Sequence, residues 1–314
     1  MENKVISTGL EAAFGQPLTN YYRFAARMEP LMQTLLKGIN QEVIISPEHP
    51  TAIIGERINP TGRKVFSAEL EAGDLSRIAR DAQAQVDAGA VILDVNVGAA
   101  RVDEVQMLPE AVRIVQDTVD VPISIDSSNP EALKAALKVY KGRALINSVN
   151  GEKERLTQVL PLVAEYGAAV IALCMGDDGI PETAEQRLAI AQNILEAAQA
   201  VGVPPEDILF DPLAMTISVN HRAAQVTIDT AHAIRGELGT NMTIGASNTS
   251  HGMPDRQLLN TVFLAGFIQA GVNAPICNPL TNTLAVRAID LMQGLDEWGM
   301  RYIQTYRKLQ ASQS

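Results

Sequence analysis

Asp94, Asn96, Asp126, Asn147, Asp211 and Asn248 share a position type: each ends or directly follows a short apolar run. The runs are Val91–Val97 (VILDVNV), Pro122–Asp126 (PISID), Arg143–Ser148 (RALINS), Asp207–Pro212 (DILFDP) and Met242–Ser247 (MTIGAS). A polar group taken out of water without a partner costs roughly 1–3 kcal/mol, so a ring of them needs one another or a ligand. At any single position the residue could equally cap the next helix or shape a turn. In Leu93-Asp94-Val95-Asn96-Val97, however, the polar residues alternate with apolar ones and share one face. Carboxylates and amides with little positive charge suit a flat, hydrogen-bonding heterocycle. A carboxylate accepts two parallel N–H bonds from a guanidine-like edge. A phosphate would instead call for Lys, Arg or a glycine-rich nest. The residue types alone lead to a polar heterocycle and no further.

The runs that must position these residues recur regularly. With Thr51–Glu56, Ala169–Met175 and Asn273–Asn278 they make eight candidate strands. Amphipathic stretches lie between them: 74–89 with Gly89 as C-cap, a helix opened by Asn129-Pro130, then 152–166, 182–202, 219–238, 255–270 and 281–295. Strand–helix alternation of this kind predicts parallel strands with right-handed crossovers, and eight units predict an α/β TIM (β/α)8 barrel. Its C-terminal strand ends all face one mouth, where such barrels place their chemistry. The competing open doubly wound sheet wants a glycine-rich turn after its first strand. That position reads Glu56-Arg57-Ile58-Asn59-Pro60. The expected organisation is a helical extension over residues 1–50 and the barrel over 51–314, with a last helix at 296–311. The extension rests on Asn20–Ile39, whose helical periodicity is interrupted by Pro30. It is expected to pack on the barrel or on a partner subunit, the alternative being a loosely ordered arm.

Composition narrows the class. The 314 residues are 46% hydrophobic and 19% charged, with a net charge of −11 and no Lys/Arg block, which argues against nucleic acid as a partner. Two distant cysteines, Cys174 and Cys277, do not make a disulfide framework and read as buried core residues. The four histidines, His49, His221, His232 and His251, show no metal-ligand spacing. Asp177-Asp178 is expected in a solvated loop. With no signal segment and no apolar run of membrane length, a soluble cytoplasmic protein is expected.

At these residues the sequence resembles the pterin-binding barrel family, which includes dihydropteroate synthase, the folate domain of cobalamin-dependent methionine synthase, and methyltetrahydrofolate:corrinoid-protein methyltransferases. The segments that carry the resemblance are Gly55–Asn59, Asp94–Gly98, Ile125–Asn129, Ile146–Ser148, Met175–Pro181, Asp211–Leu213 and Ser247–Ser250. It implies that Asp211 takes the N3–H and 2-amino edge of a pterin and that Asn147 holds the other side of the pyrimidine ring. Asp126 would lie near N8, and Asn248 would reach N5 and O4, with Asn96 in support. Glu56 belongs to the same folate-binding set. Arg256 would contact either the glutamate tail or its own loop. Asn248 and Asp126 are the expected catalytic pair. An amide cannot supply a proton, so the proton at N5 would travel through water or a network including Asp126.

The resemblance favours the methyltransferase branch. The cations that a pyrophosphate-bearing substrate needs are missing from Ser247-Asn248-Thr249 and Cys277-Asn278-Pro279. Where some members carry Gln, this chain has His251. The implied activity moves a methyl group between N5 of tetrahydrofolate and the cobalt of a corrinoid (cobalamin) on a partner protein docked at the barrel mouth. The N-terminal extension favours an O-demethylase system. A homodimer is expected from the family. Two alternatives stay open: a dihydropteroate-synthase-like pterin transferase and a non-catalytic folate-binding subunit.

Overall fold

The computed structural model describes residues 32–313. Eight parallel strands close into a barrel. They are β3 (Ile54–Ile58), β4 (Ile92–Val95), β5 (Ile123–Asp126), β6 (Leu145–Asn150), β7 (Ala169–Leu173), β8 (Ile208–Asp211), β9 (Asn241–Gly245) and β10 (Ala274–Cys277). Their order is that of the sequence, with β10 returning to pair with β3. Every expected strand is present; the first starts at Ile54 rather than Thr51 and runs on to Ile58.

The helices are α1 (Lys64–Glu71), α2 (Ser76–Asp87), α3 (Glu104–Thr118), α4 (Pro130–Val139), α5 (Lys153–Tyr166) and α6 (Ala184–Ala200). They continue with α7 (Ala223–Glu237), α8 (Arg256–Ala270), α9 (Pro279–Met292) and α10 (Met300–Gln313). Asn129 caps α4 by accepting from the Glu131 N–H, with Pro130 in the first turn, as its sequence predicts. Gly89 follows α2 with φ of +106°, a conformation that suits glycine. Helices α1 and α3 are additions to the sequence reading.

Period-two alternation sorts each strand into two faces. Leu93, Val95, Ile123, Ile125, Ile146, Ile208 and Phe210 point outward into the core beneath the helices. Ile54, Ile92, Leu145, Ile171, Leu209 and Ala274 fill the barrel interior. On β3, β4, β5, β6 and β8 the inward face carries its carboxyl or amide residue toward the C-terminal end: Glu56, Asp94, Asp126, Asn147 and Asp211.

Residues 34–39 depart from the helical expectation. They enter a β-hairpin of β1 (Thr34–Lys37) and β2 (Glu42–Ile45), Met32 and Gln33 before it are not helical, and residues 20–31 of the expected helix lie outside the described residues. Leu36, Val43 and Ile45 pack against the interior residues Ile54, Ile92 and Leu145. Asn241, the first residue of β9, donates to Ile45 O and to Thr34 Oγ1, both at 2.9 Å. The hairpin thus plugs the N-terminal end of the barrel. Burial on a two-residue period wins over weak helical periodicity here. Gly38 enters the turn where a Cβ would stand 2.2 Å from Asp120 O, so the close approach requires glycine. Among the described residues no helix is long and apolar enough to cross a membrane.

Candidate active site

The register brings the polar strand ends level: Asp126 lies opposite Asn147, and Asp94 opposite Ser124. Asp94, 3% exposed, is the hub of this floor. Its Oδ1 accepts from Ser124 Oγ at 2.7 Å and from Asn147 Nδ2 at 3.0 Å. Asp126 hydrogen-bonds to Asp94 as well. Two carboxyls in contact cannot both ionise cheaply, so they share a proton. Burial, then the charge of Asp94, pushes Asp126 well above the usual carboxylate range, and Glu104 adds to the effect. Asp94 is raised by burial too, but the bonds from Asn147, Ser124 and Asp126 oppose this. Asp94 is therefore the ionised member and Asp126 the acid.

Asn96 lies against the pair. It hydrogen-bonds Asp126, while its own Oδ1 accepts from the Gly98 N–H at 2.7 Å, which sets the orientation of the amide. Arg155, on α5, donates to the carbonyls of Ser127, Ser128 and Ser148. It thereby ties the turn after β5 to β6 and places a positive charge near Asp126.

Asp211 ends β8 and is 8% exposed. It accepts from the Leu213 N–H at 2.7 Å and from the backbone of Gly245, yet burial raises its pKa to about 6. Leu213 has a φ of +66°, strained for a side chain of this size. Its carbonyl is held at 2.8 Å by both Arg187 Nη1 and Thr227 Oγ1. Arg187, 3% exposed, also bonds Pro212 O, and its charge offsets that of Asp211. The Asp211-Pro212-Leu213 segment is thus clamped from beneath.

Asn248 follows β9 in a short 3-10 turn (Ala246–Asn248) and is exposed to the mouth. Its Nδ2 lies 2.9 Å from where a Cβ on Gly245 would stand, so glycine there lets the amide fold over the strand end. The neighbouring Ser247 donates its hydroxyl to Glu56 Oε2 at 3.1 Å across the rim. Burial raises the pKa of Glu56, opposed first by that hydroxyl. Arg256 donates to Ser250 Oγ at 3.1 Å and to Ser247 O at 2.9 Å. Of its two anticipated roles, the geometry supplies bracing of the β9–α8 loop.

Cys174 and Cys277 are fully buried, and burial pushes both thiols up. Asp177 and Asp178 lie exposed beyond β7, as expected. Several supporting residues escaped the sequence reading: Ser124, Glu104, Arg155 and Arg187, and Asp94 in its role as hub. Glu104 accepts from Ser127 Oγ at the first turn of α3. Asp103 caps that helix through the Val105 N–H, so the run Asp103-Glu104-Val105 carried a readable start signal.

The mouth therefore presents a carboxylate at Asp211, an amide oxygen at Asn147, a carboxylic acid at Asp126, a second acidic group at Glu56 and, at Asn248, an amide unengaged among the described residues. Such a ring can bind a flat heterocycle by its edges and move protons at it.

Comparison with known proteins places the chain in a family. Residues 55–278 match the family model of pterin binding enzymes. The chain is 31% identical over 263 residues to methylcorrinoid:tetrahydrofolate methyltransferase of Eubacterium limosum, covering 82% of this chain and 96% of that one. It is 34% identical over 238 residues to methionine synthase of Mycobacterium tuberculosis, covering 71% of this chain but 20% of that much longer protein. The fold matches dihydropteroate synthase of Yersinia pestis with a TM-score of 0.61 at 16% identity, covering 83% of this chain and 99% of that one. Dihydropteroate synthase of Thermus thermophilus gives a TM-score of 0.61 at 19% identity, with the same coverage. This chain belongs to the pterin binding enzymes and, within them, to the family of methylcorrinoid:tetrahydrofolate methyltransferase.

Proposed function

We propose that this protein transfers a methyl group between N5 of tetrahydrofolate and the cobalt of a corrinoid carried by a separate protein. One observation carries the site assignment: the order of polar groups around the barrel follows the order of atoms around a pterin. Going round from β8, the rim presents Asp211, Asn248 after β9, Glu56 on β3, Asp126 on β5 and Asn147 on β6. Going round a pterin from its guanidine-like edge come N3 with the 2-amino group, then O4 and N5, then C6 and C7, then N8 and N1. Asp211 takes the N3 edge, Asn248 the O4–N5 corner, Asp126 the N8 side and Asn147 the N1 side. The pairing is continuous, with the Asn147 oxygen accepting from the second hydrogen of the 2-amino group beside N1.

The transferase reading that joins a pterin pyrophosphate to an amine lacks its phosphate site. Arg256 is committed to Ser247 and Ser250, and Asn278 is committed to capping α9 through the Leu280 N–H at 3.2 Å. The chemistry left is group transfer at N5. A neutral amine is a poor leaving group, so protonation at N5 must accompany loss of the methyl, and removal of a proton must accompany its gain. The barrel contributes positioning of the folate at an open mouth that a corrinoid protein can reach.

Two finer points belong to the same reading. The outer faces of α8 and α9 expose Leu258 (59%), Val262 (57%) and Leu280 (49%), a surface suited to a second copy of this chain, and sedimentation velocity tests the homodimer. The O-demethylase setting is tested by comparing methylated corrinoid proteins from different methyl-group pathways as donors.

The experiment mixes the protein anaerobically with a methylated corrinoid protein and tetrahydrofolate and follows the cobalt absorption, with Asn248→Ala alongside. Demethylation of cobalt with formation of 5-methyltetrahydrofolate, slowed in the variant, is the expected result. Tight folate binding with cobalt left methylated by every carrier would sink the proposal in favour of a folate-binding subunit.

A further inference from the structure

We infer that Glu56, rather than Asp126, is the acid that exchanges the proton at N5. The inference rests on the folate orientation proposed above. In that orientation N5 lies at the Asn248 corner. Asn248 follows β9, and β3 is reached from β9 by crossing only β10. Asp126, on β5, is on the far side of the ring, facing N8. Glu56 is joined to the N5 corner directly, because the hydroxyl of Ser247, the residue before Asn248, donates to its Oε2. No other hydrogen bond engages the Glu56 carboxyl among the described residues, so Oε1 is available to a ligand.

Asp126 is committed elsewhere. Its proton goes to Asp94 and it also bonds the Asn96 amide. Drawing that proton toward the folate would leave two buried carboxylates in contact. Glu56 has no carboxylate bonded to it among the described residues.

The charged surroundings suit an acid–base group. Burial holds the Glu56 carboxyl above its ordinary range, Asp94 on β4 raises it further, and Arg57 on β3 and Arg256 on α8 pull it down. The Cys277 thiol on β10 is itself pushed up and stays neutral. A carboxyl with this balance holds its proton more readily than an exposed one and can still release it.

The step balances as follows. The cobalt(I) of the reduced corrinoid supplies an electron pair to the methyl carbon. The C–N5 bond breaks with its pair on N5, and N5 takes the proton of Glu56. The carboxylate then recovers a proton from solvent. In the opposite direction N5 attacks the cobalt-bound methyl, the Co–C pair stays on cobalt, and the N5 proton passes to the Glu56 carboxylate.

The test is single-turnover methyl transfer from 5-methyltetrahydrofolate to a reduced corrinoid protein as a function of pH, with folate Kd measured in parallel. Glu56→Gln is expected to slow transfer by about 10²–10⁴-fold and to flatten the pH profile, with folate Kd changed by less than about tenfold. Glu56→Asp, which keeps an acid, should retain a pH-dependent limb. Asp126→Asn should weaken folate binding and keep the wild-type profile shape. If Glu56→Gln keeps both the wild-type rate and profile, or if Asp126→Asn is the variant that flattens it, the assignment to Glu56 is wrong. Wild-type protein that binds folate but transfers no methyl overturns the methyl-transfer reading and this assignment together.

Discussion

Asn147 donates its Nδ2 to Asp94 Oδ1 at 3.0 Å although β5 runs between their strands. The bond passes over the inward-facing Ser124, which donates to the same oxygen at 2.7 Å. An ionised carboxylate can only accept, so every group facing Asp94 must donate. Asn147 therefore turns its Oδ1 toward the mouth, and Asp126 must carry a proton. One buried residue out of reach of solvent thus sets the hydrogen-bond polarity of two residues that line the pocket.

Asp94→Asn tests this. The amide that replaces the carboxylate offers a single acceptor and sets two of its own donors among groups that donate. At least one of Ser124, Asn147 and Asp126 loses its acceptor, at a cost of about 1–3 kcal/mol. A fall in thermal midpoint and a loss of folate affinity of about tenfold or more are expected. The charge of Asp94 is also one of the causes that raise Asp126, so the variant should titrate Asp126 lower, as followed by carboxyl NMR. An unchanged Asp126 titration would show that burial alone sets its proton.

Much of this site was legible in the sequence because strand periodicity is strict. Once Leu93-Asp94-Val95-Asn96 is a strand, Asp94 must share a face with Ile92, and that face fills the barrel. The ring of Asp126, Asn147 and Asp211 follows from the same rule. The hub role of Asp94 did not follow, because it depends on the stagger between strands that sets Asp94 opposite Ser124 and Asp126 opposite Asn147. Arg155 and Arg187 were hidden for a related reason: helical positions give no sign that a guanidinium will reach carbonyls on other elements. The hairpin at 34–45 was misread because its halves are too short for alternation to outweigh a helical pattern, and the surface that decides the matter is supplied by distant strands.

Folate binding should depend on pH through Asp211. Its pKa is raised to about 6, so the free protein protonates it as pH falls through that value. The N3 and 2-amino donors need the ionised form, so proton and ligand compete. At about pH 5 the apparent Kd should be about tenfold weaker than at about pH 7, from that pKa alone. The sign for stability is opposite. A carboxyl raised above its unfolded value adds stability that is lost as pH rises through the folded pKa, so unliganded protein should lose stability from this group between about pH 4 and 6. Calorimetric titration across this range checks the first effect. Asp211→Asn should bind weakly at every pH, and binding that improves on acidification would contradict the assignment.

The hairpin that closes the barrel base should be a stability element with no part in chemistry. Leu36 is fully buried among Ile54, Ile92 and Leu145 at the end of the barrel opposite the mouth. Leu36→Ala removes that packing and should cost about 2–5 kcal/mol, read by denaturant unfolding. The folate Kd of the folded variant should stay within about threefold of wild type, because the apolar interior layer separates the hairpin from the polar ring. A large change in Kd with little change in stability would mean that the base and the mouth are coupled.

Recognition of the corrinoid protein should involve the rim beyond β7 and β8. Val219 is 83% exposed on the segment between β8 and α7, Met215 stands exposed on the same segment, and Ile180 on the loop after β7. Apolar side chains gathered on the side of the mouth where the strand ends carry the residues proposed to bind folate are suited to a protein partner. The segment is anchored: Thr216 Oγ1 donates to His251 O at 2.6 Å, and the Ile217 N–H donates to Thr249 O at 3.1 Å, so it moves with the loop that carries Asn248. Val219→Glu should raise KM for the corrinoid protein by about tenfold, the effect of about 1.4 kcal/mol lost from an interface, and leave folate Kd unchanged. Free methylcobalamin does not need this surface, so the rate with it should be the same in both proteins. Equal loss with carrier and with free cobalamin would mean that the substitution disturbs the Asn248 loop itself.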